Sequence, residues 1–256
     1  MKKALGGTGF MPDWRGQVVQ MAWFLPSVAD IDAAAVFKSV WGIEPDQTQR
    51  NRVPGPANPF LSVAAASKDA LNLQAQVLPG RLDLIVTSGE AESEPLGILF
   101  DYKKTLGDLV QAASGAAFVE SGVIRLSIIL TLLKPVEGNS EGAAEFYKSA
   151  GFDPKIENVS DLMFQINARK RIDEVPINRI MQISVGAVQA MLLQMGPQGA
   201  QTSQNSVRYV ARRHYDFNTV PDGKLIEPAR IEPIFSGIAQ EILRVAATGS
   251  ISGLRG

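Results

Sequence analysis

The chain has no cysteine and a single histidine, His214. Without cysteine there are no disulfides, thiolate nucleophiles, zinc–thiolate sites or cysteine-ligated iron–sulfur clusters. One histidine excludes any multi-histidine metal site or two-histidine mechanism within one chain. No metal or other cofactor is expected, although a Mg²⁺ or Ca²⁺ site built from carboxylates alone stays open. No charge of one sign dominates: 25 basic residues face 26 acidic ones. That argues against a grip on duplex nucleic acid by the whole protein. Long apolar runs are missing too. The longest, near Ile124–Leu133 and Val185–Met195, have the length of strands and do not span a bilayer. The start, Met1-Lys2-Lys3-Ala4-Leu5-Gly6-Gly7, is basic but lacks the apolar stretch of a secretory signal. The expectation is a cytoplasmic protein that makes no membrane contact.

What is present is a pattern that occurs twice. Ala34–Pro45 and Ala143–Pro154 both read as an amphipathic helix stopping at glycine, then an apolar residue, an acid and a proline. Glycine accepts the left-handed conformation that ends a helix, and proline prevents its continuation. Each copy follows an apolar strand that ends in proline, at Pro26 and Pro135. A shorter echo links Ala112-Ala113-Ser114-Gly115 to Ala246-Ala247-Thr248-Gly249.

In chain order, Gln17–Leu25 reads as a strand and 28–41 as a helix, with Ser27 as its cap and Asp30 placed as in a capping box. A polar loop, Asp46–Arg52, follows; its Arg50 and Arg52 suit an anion or a base, or simply solvent. Phe60–Ala66, Leu71–Val77 and Leu82–Val86 form an antiparallel meander with turns at Lys68-Asp69 and Pro79-Gly80. Glu90, Glu92 and Glu94 lie in a loop that reads as solvated and acidic. Tyr102–Ser114 is a helix stopped at Gly115. The second half repeats this order: a buried strand Val123–Leu133, a helix from about Glu141 to Ala150, and a strand from Leu162 to Arg169. Ile177–Met195 follows as one bent strand or two, with a bulge or a break at Gly186. Gly196–Asn205 reads as a mobile loop, Ser206–Asn218 as a strand, and a last helix begins near Glu232-Pro233.

The expected class is therefore α+β: a tandem pseudo-repeat of a β-α-β-β-β-α unit, with mostly antiparallel sheets and helices packed on one face. The divisions are an arm over 1–15, units over 16–118 and 119–250, and a tail over 251–256. Gly6-Gly7-Thr8-Gly9 resembles the phosphate-binding turn of extended Rossmann dehydrogenases. That turn needs a buried strand before it and a helix after it, and neither is evident here.

Two resemblances extend beyond the patterns. Gly142–Phe152 resembles the helix of the glyoxalase, or vicinal-oxygen-chelate, family, which duplicates a β-α-β-β-β unit. That family's metal is held by histidine and glutamate, and this chain's one histidine does not supply the set. Most of the chain is similar in layout to a sporadically distributed bacterial family of hypothetical proteins. The likeness is carried by Arg81–Val86, Ile124-Arg125-Leu126, Tyr215–Thr219 and the closing helix with Ile234-Phe235. It implies an architecture and no mechanism.

One polar constellation stands out. Alternation over Ser206–Asn218 places Arg208, Arg212, His214, Asp216 and Asn218 on one face, and an otherwise apolar set interrupted by Arg213 on the other. Two arginines beside a histidine and an acid suit a small anionic ligand, and Asp216 is placed to orient His214. A solvated strand with cross-strand ion pairs has the same composition. Three functions are open at this level. The first is a non-enzymatic binding or assembly protein, working as a homodimer or with a protein partner through sheet edges and exposed faces. The second is a sensor or enzyme with an anion site at Arg208, Arg212, His214 and Asp216. The third, single-stranded nucleic-acid binding, ranks last because Tyr209 and Tyr215 fall on the core face.

Overall fold

The computed structural model describes residues 14–56, 58–89, 96–114, 122–152, 161–196 and 199–255, with side chains described throughout these except at 189–196 and 199–207. The Gly6–Gly9 turn, the acidic loop at Glu90, Glu92 and Glu94, and the expected stop at Gly115 lie outside the described residues.

The fold is α+β. Among the described residues nine strands form one antiparallel sheet: β1 (Arg15–Phe24), β2 (Gln47–Arg50), β3 (Ser62–Lys68), β4 (Leu71–Leu78), β5 (Arg81–Ser88), β6 (Arg125–Val136), β7 (Leu162–Ile172), β8 (Val175–Gly196) and β9 (Gly199–Thr219). Their order across the sheet is β2-β3-β4-β5-β1-β6-β9-β8-β7. The sheet is continuous because β1 pairs with β5 on one side and with β6 on the other, Met21 lying opposite both Leu84 and Ile128. β6 is central, as its near-continuous apolar run predicts.

The inner strands bury alternate residues against the helices. Val19, Met21 and Trp23 of β1, Leu126, Ile128, Leu130 and Leu132 of β6, and Tyr215 and Phe217 of β9 share the covered face. Among the described residues four helices supply the cover: α1 (Ala33–Trp41), α2 (Tyr102–Ser114), α3 (Asn139–Ala150) and α4 (Pro228–Thr248). Helix α1 buries Val36, Phe37 and Val40, and α2 buries Leu106, Leu109 and Ala113. Helix α4 buries Ile234, Ile238, Ile242 and Val245, so its i, i+4, i+8 stripe faces the sheet. Both α1 and α3 stop at a left-handed glycine, Gly42 at φ 66° and Gly151 at φ 72°.

Several boundaries differ from the expectations. Helix α1 starts at Ala33, not near Val28, because the Asp32 carboxylate rather than Ser27 caps it, accepting from the Ala34 N–H at 3.0 Å. Half of the expected polar loop is strand β2, which is exposed on both faces and so carries no alternation. The turn after β3 sits at Asp69-Ala70, both at positive φ, one residue beyond the expected Lys68-Asp69. The meander turn at Pro79-Gly80 is as expected, with Gly80 at φ 71°. Helix α4 begins at Pro228, whose missing N–H is harmless at the first helical position, so Pro233 lies inside the helix. The expected loop Gly196–Asn205 is mostly strand: 199–205 belong to β9, which pairs with β8 as far as Gly196↔Gly199. Strand β8 is unbroken at Gly186, and the pairing irregularity lies between Met191 and Leu193. A 3-10 turn over Ile251–Leu254 follows α4 and buries Leu254.

Candidate functional site: a basic cleft on the helix side

The strand residues singled out by pattern do share a face, the one without helices. Arg208 and Arg212 are exposed there. His214 is half-buried and shares a hydrogen bond between its Nδ1 and the Thr131 hydroxyl, at 3.0 Å. Asp216 Oδ1 accepts from Ser127 Oγ at 2.8 Å and from Asn218 Nδ2 at 2.9 Å. Asn218 in turn accepts from Asn178 at 3.1 Å. Asp216 is thus directed to Ser127 and Asn218. Burial, then the nearby Arg212 charge, lowers the His214 pKa below its usual value, against a smaller opposing pull from Asp216. His214 sits in a cross-strand row Val18, Thr131, His214, Gln182, Gln165. Within the row the His214 ring meets the Thr131 hydroxyl on one side and stands beside Gln182 on the other. Arg50 is elsewhere: it lies on β2 and reaches Asp32 at 2.6 Å. Five strands separate β2 from β9. Exposed Arg52 lies just beyond β2, so Arg50 and Arg52 do not join the β9 group.

The covered face holds what the alternation marked only as an interruption. Arg213 points to the helices with its side chain 3% exposed. Its guanidinium donates to Glu145 Oε1 at 3.1 Å and to Ser149 Oγ at 2.7 and 3.2 Å. It also stacks over the Trp14 ring, 3.9 Å from the centroid. Glu145 and Ser149 are one turn apart on α3, which is why both reach the same cation. Lys134 of β6 donates to the other Glu145 oxygen at 2.8 Å. Burial works to raise the Glu145 pKa, but Lys134, Arg213 and Lys148 outweigh it and hold the carboxyl below its ordinary value. Burial lowers the Arg213 pKa. Next to it, burial pushes the Tyr215 phenol well above its usual range. The Tyr215 hydroxyl feels the Arg213 charge but finds no partner in hydrogen-bond geometry among the described residues.

Arg213, Glu145 and Lys134 form the floor of a cleft of about 850 Å³. Its walls are Trp14 and Arg15 from the start of β1, Asp101, Tyr102 and Lys103 from the start of α2, Lys148 from α3, and Ala246–Ser250 at the end of α4. Gly16 sets the first wall. Phe100 bridges it with backbone hydrogen bonds at 2.8 and 3.0 Å, and a Cβ there would overlap the Phe100 ring. This close approach brings Trp14 and Arg15 to the beginning of α2. Among the described residues, five basic side chains (Arg15, Lys103, Lys134, Lys148, Arg213) line the cleft against two acidic ones (Asp101, Glu145). Both acids are engaged: Glu145 by Arg213 and Lys134, and Asp101 by the Lys103 and Lys104 N–H groups at the start of α2. Among the described residues, Arg15, Lys103 and Lys148 form no ion pair.

A second buried arginine lies on the same face. Arg179 of β8 donates to Glu241 of α4 at 2.7 Å and to the Leu254 carbonyl at 2.8 Å. Lys170 and Arg244 complete three cations around the Glu241 carboxylate. Among the described residues no three His, Asp or Glu side chains converge as metal ligands. Among them, too, no helix is long and apolar enough to cross a membrane.

The signal that pointed to the cleft was Arg213 itself, a charge on an apolar strand face, which burial tolerates only with a partner. The partner, 68 residues away in sequence, had no local mark. Compared with family models, curated proteins and solved structures, the chain has no significant match in any of the three.

Proposed function

We propose that this chain is a binding protein without catalytic chemistry of its own, and that its ligand occupies the helix-side cleft. The observation that carries this reading is the excess of cations in a concave site whose two carboxylates already have partners. Such a lining concentrates anions, and the volume lies within the range of small-molecule sites. The open-face group at His214 and Asp216 supports this reading less well, because Ser127, Asn218 and Thr131 already engage the acid and the imidazole. The test is native mass spectrometry of freshly purified protein beside Lys148→Glu, a change at an exposed position on the rim. The reading expects extra mass that disappears on denaturation and is lost or reduced in the variant. Extra mass retained in full by Lys148→Glu places the ligand elsewhere and defeats the reading.

Assembly is a second reading, favoured by one feature. Beyond Val185 in β8 and before Tyr209 in β9, the two strands pair only with each other among the described residues. They form a ribbon with two free edges, and a two-stranded ribbon alone is marginal in water. Light scattering on the full chain and on a form with the ribbon shortened tests this: a monomer in both cases rules it out. We also read the chain as two related units meeting at β1 and β6. The reading rests on the matched glycine stops of α1 and α3, and on β1–β5 and β6–β9, pairings of the first strand of each unit with its last.

A further inference from the structure

Resting on the reading of the cleft as a ligand site, we infer the class of its ligand: an organic oxyanion, phosphate or carboxylate, carried on a flat apolar body. Two separate features of the site set the two parts.

The head group follows from charge. Lys134 is 17% exposed and reaches Glu145 from the cleft floor. Lys148 projects from α3 one helical turn from Glu145, near enough to lower its pKa. Lys103 lies in the first turn of α2, its ammonium 5.9 Å from the Tyr102 ring centroid, and Arg15 uses its guanidinium on the Leu99 and Phe100 carbonyls, at 3.4 Å each. None of these last three cations has a carboxylate partner among the described residues. An incoming oxyanion accepts hydrogen bonds from ammonium groups that otherwise face water. A cationic head would add to a charge that is already in excess.

The body follows from volume and from the walls. About 850 Å³ is several times what a bare oxyanion fills. Trp14 and Tyr102 give the cleft aromatic walls. The Arg213 guanidinium covers one face of Trp14 at 3.9 Å and holds the ring in place. A wall fixed in this way is preorganised for a planar partner, since its side-chain freedom is already lost before binding.

The experiment is isothermal titration of the full chain with phenyl phosphate, inorganic phosphate, benzyl alcohol and benzylamine, repeated with Lys148→Ala and Trp14→Ala. Melting curves confirm that each variant is folded. The expected result is phenyl phosphate as the tightest probe, by about tenfold or more over inorganic phosphate and over benzyl alcohol, weakening as salt rises. Lys148→Ala is expected to weaken phenyl phosphate about tenfold and to leave benzyl alcohol unchanged. Trp14→Ala is expected to remove most of the advantage over inorganic phosphate. If benzyl alcohol or benzylamine binds as tightly as phenyl phosphate, and does so through Trp14, the ligand class is wrong while the cleft remains the site. If phenyl phosphate binds equally well to both variants, or if no probe binds and native spectra show bare protein, the cleft is not the site and both readings fall. Should Trp14→Ala fail to fold, Lys148→Ala with the four probes still decides the head group.

Discussion

Two buried arginines sit on neighbouring strands of this sheet, each 3% exposed and each paired with a helix glutamate, yet their surroundings differ. Around Arg179, the carboxylate of Glu241 receives three cations, and the turn after α4 closes over Arg179 while Lys170 and Arg244 stay partly exposed. The Leu254 and Gly253 carbonyls accept from Arg179 and Arg244, both at 2.8 Å. Around Arg213, the carboxylate of Glu145 receives two cations, and the cluster opens into the cleft. The same chemistry therefore does two things. Sealed, it fastens α4 and the chain beyond it to β8. Left open, it fastens α3 to β9 and leaves cations facing a space that a ligand can fill. Burying a charge is tolerated where its hydrogen bonds are met, and the difference lies in what meets them.

The largest effect is expected in the sealed cluster. Glu241→Ala takes the shared carboxylate from three cations and leaves buried Arg179 with carbonyl partners alone, at a cost of about 3–5 kcal/mol in urea unfolding. Glu145→Ala is expected to cost less, about 1–3 kcal/mol, because Arg213 keeps Ser149 and Trp14 and faces a cleft that water enters. An equal or larger loss from Glu145→Ala would erase the distinction between the two sites.

How much of this was readable from the chain depends on distance along it. The glycine stops of α1 and α3 were legible because a left-handed cap is decided by adjacent residues. The β4–β5 meander was legible because alternation is local. The start of α1 was misread because Asp32 and Ser27 are both competent caps, and the choice falls to Asp32, which also meets Arg50 from β2. Strand β2 was invisible because Gln47–Arg50 has no apolar residue and is exposed on both faces. Of the site, Arg213 was legible as an anomaly and nothing more. Its partners come from α3 and from Trp14, and their meeting depends on how α3 packs across β9. The His214–Asp216 face was readable as one face, but the partners of its polar atoms were not. The missing information was what stands opposite on β6: Ser127 and Thr131, whose hydroxyls engage the acid and the imidazole.

Acid sharpens the comparison. Burial works to raise the Glu241 pKa, but hydrogen bonds from Arg244, Arg179 and Lys170 outweigh it and hold the carboxyl at about 2 against an ordinary 4.5. A carboxyl depressed in the folded state stabilises it fully above pH 4.5, and that stabilisation is lost as pH falls from 4.5 toward 2. Glu145 is depressed as well, and the same sign applies. Urea midpoints measured across this interval are expected to fall in the wild type and to fall less steeply in Glu241→Gln. Glu145→Gln is expected to flatten the curve by a smaller amount. Equal flattening by the two would show that the open cluster holds its carboxylate as firmly as the sealed one.

The smallest effect is expected at the rim, where the backbone rather than a charge meets Arg213. Gly249 ends α4 at φ 69°, and a Cβ there would lie 3.2 Å from Arg213 Nη1. Gly249→Ala puts an L side chain into the left-handed region, at about 1–2 kcal/mol. It also presses on the guanidinium that stacks against Trp14. The stability loss in urea is therefore expected to be below that of Glu241→Ala. Yet the indole environment should change, read as a shift in tryptophan emission that Trp14→Phe abolishes. Were Gly249→Ala to lower stability while leaving that emission unmoved, Arg213 would be fixed by Glu145 and Ser149 alone, with the end of α4 only standing beside it. The open cluster would then be held from α3 and β6, and the α4 wall of the cleft would be free to shift without disturbing its floor.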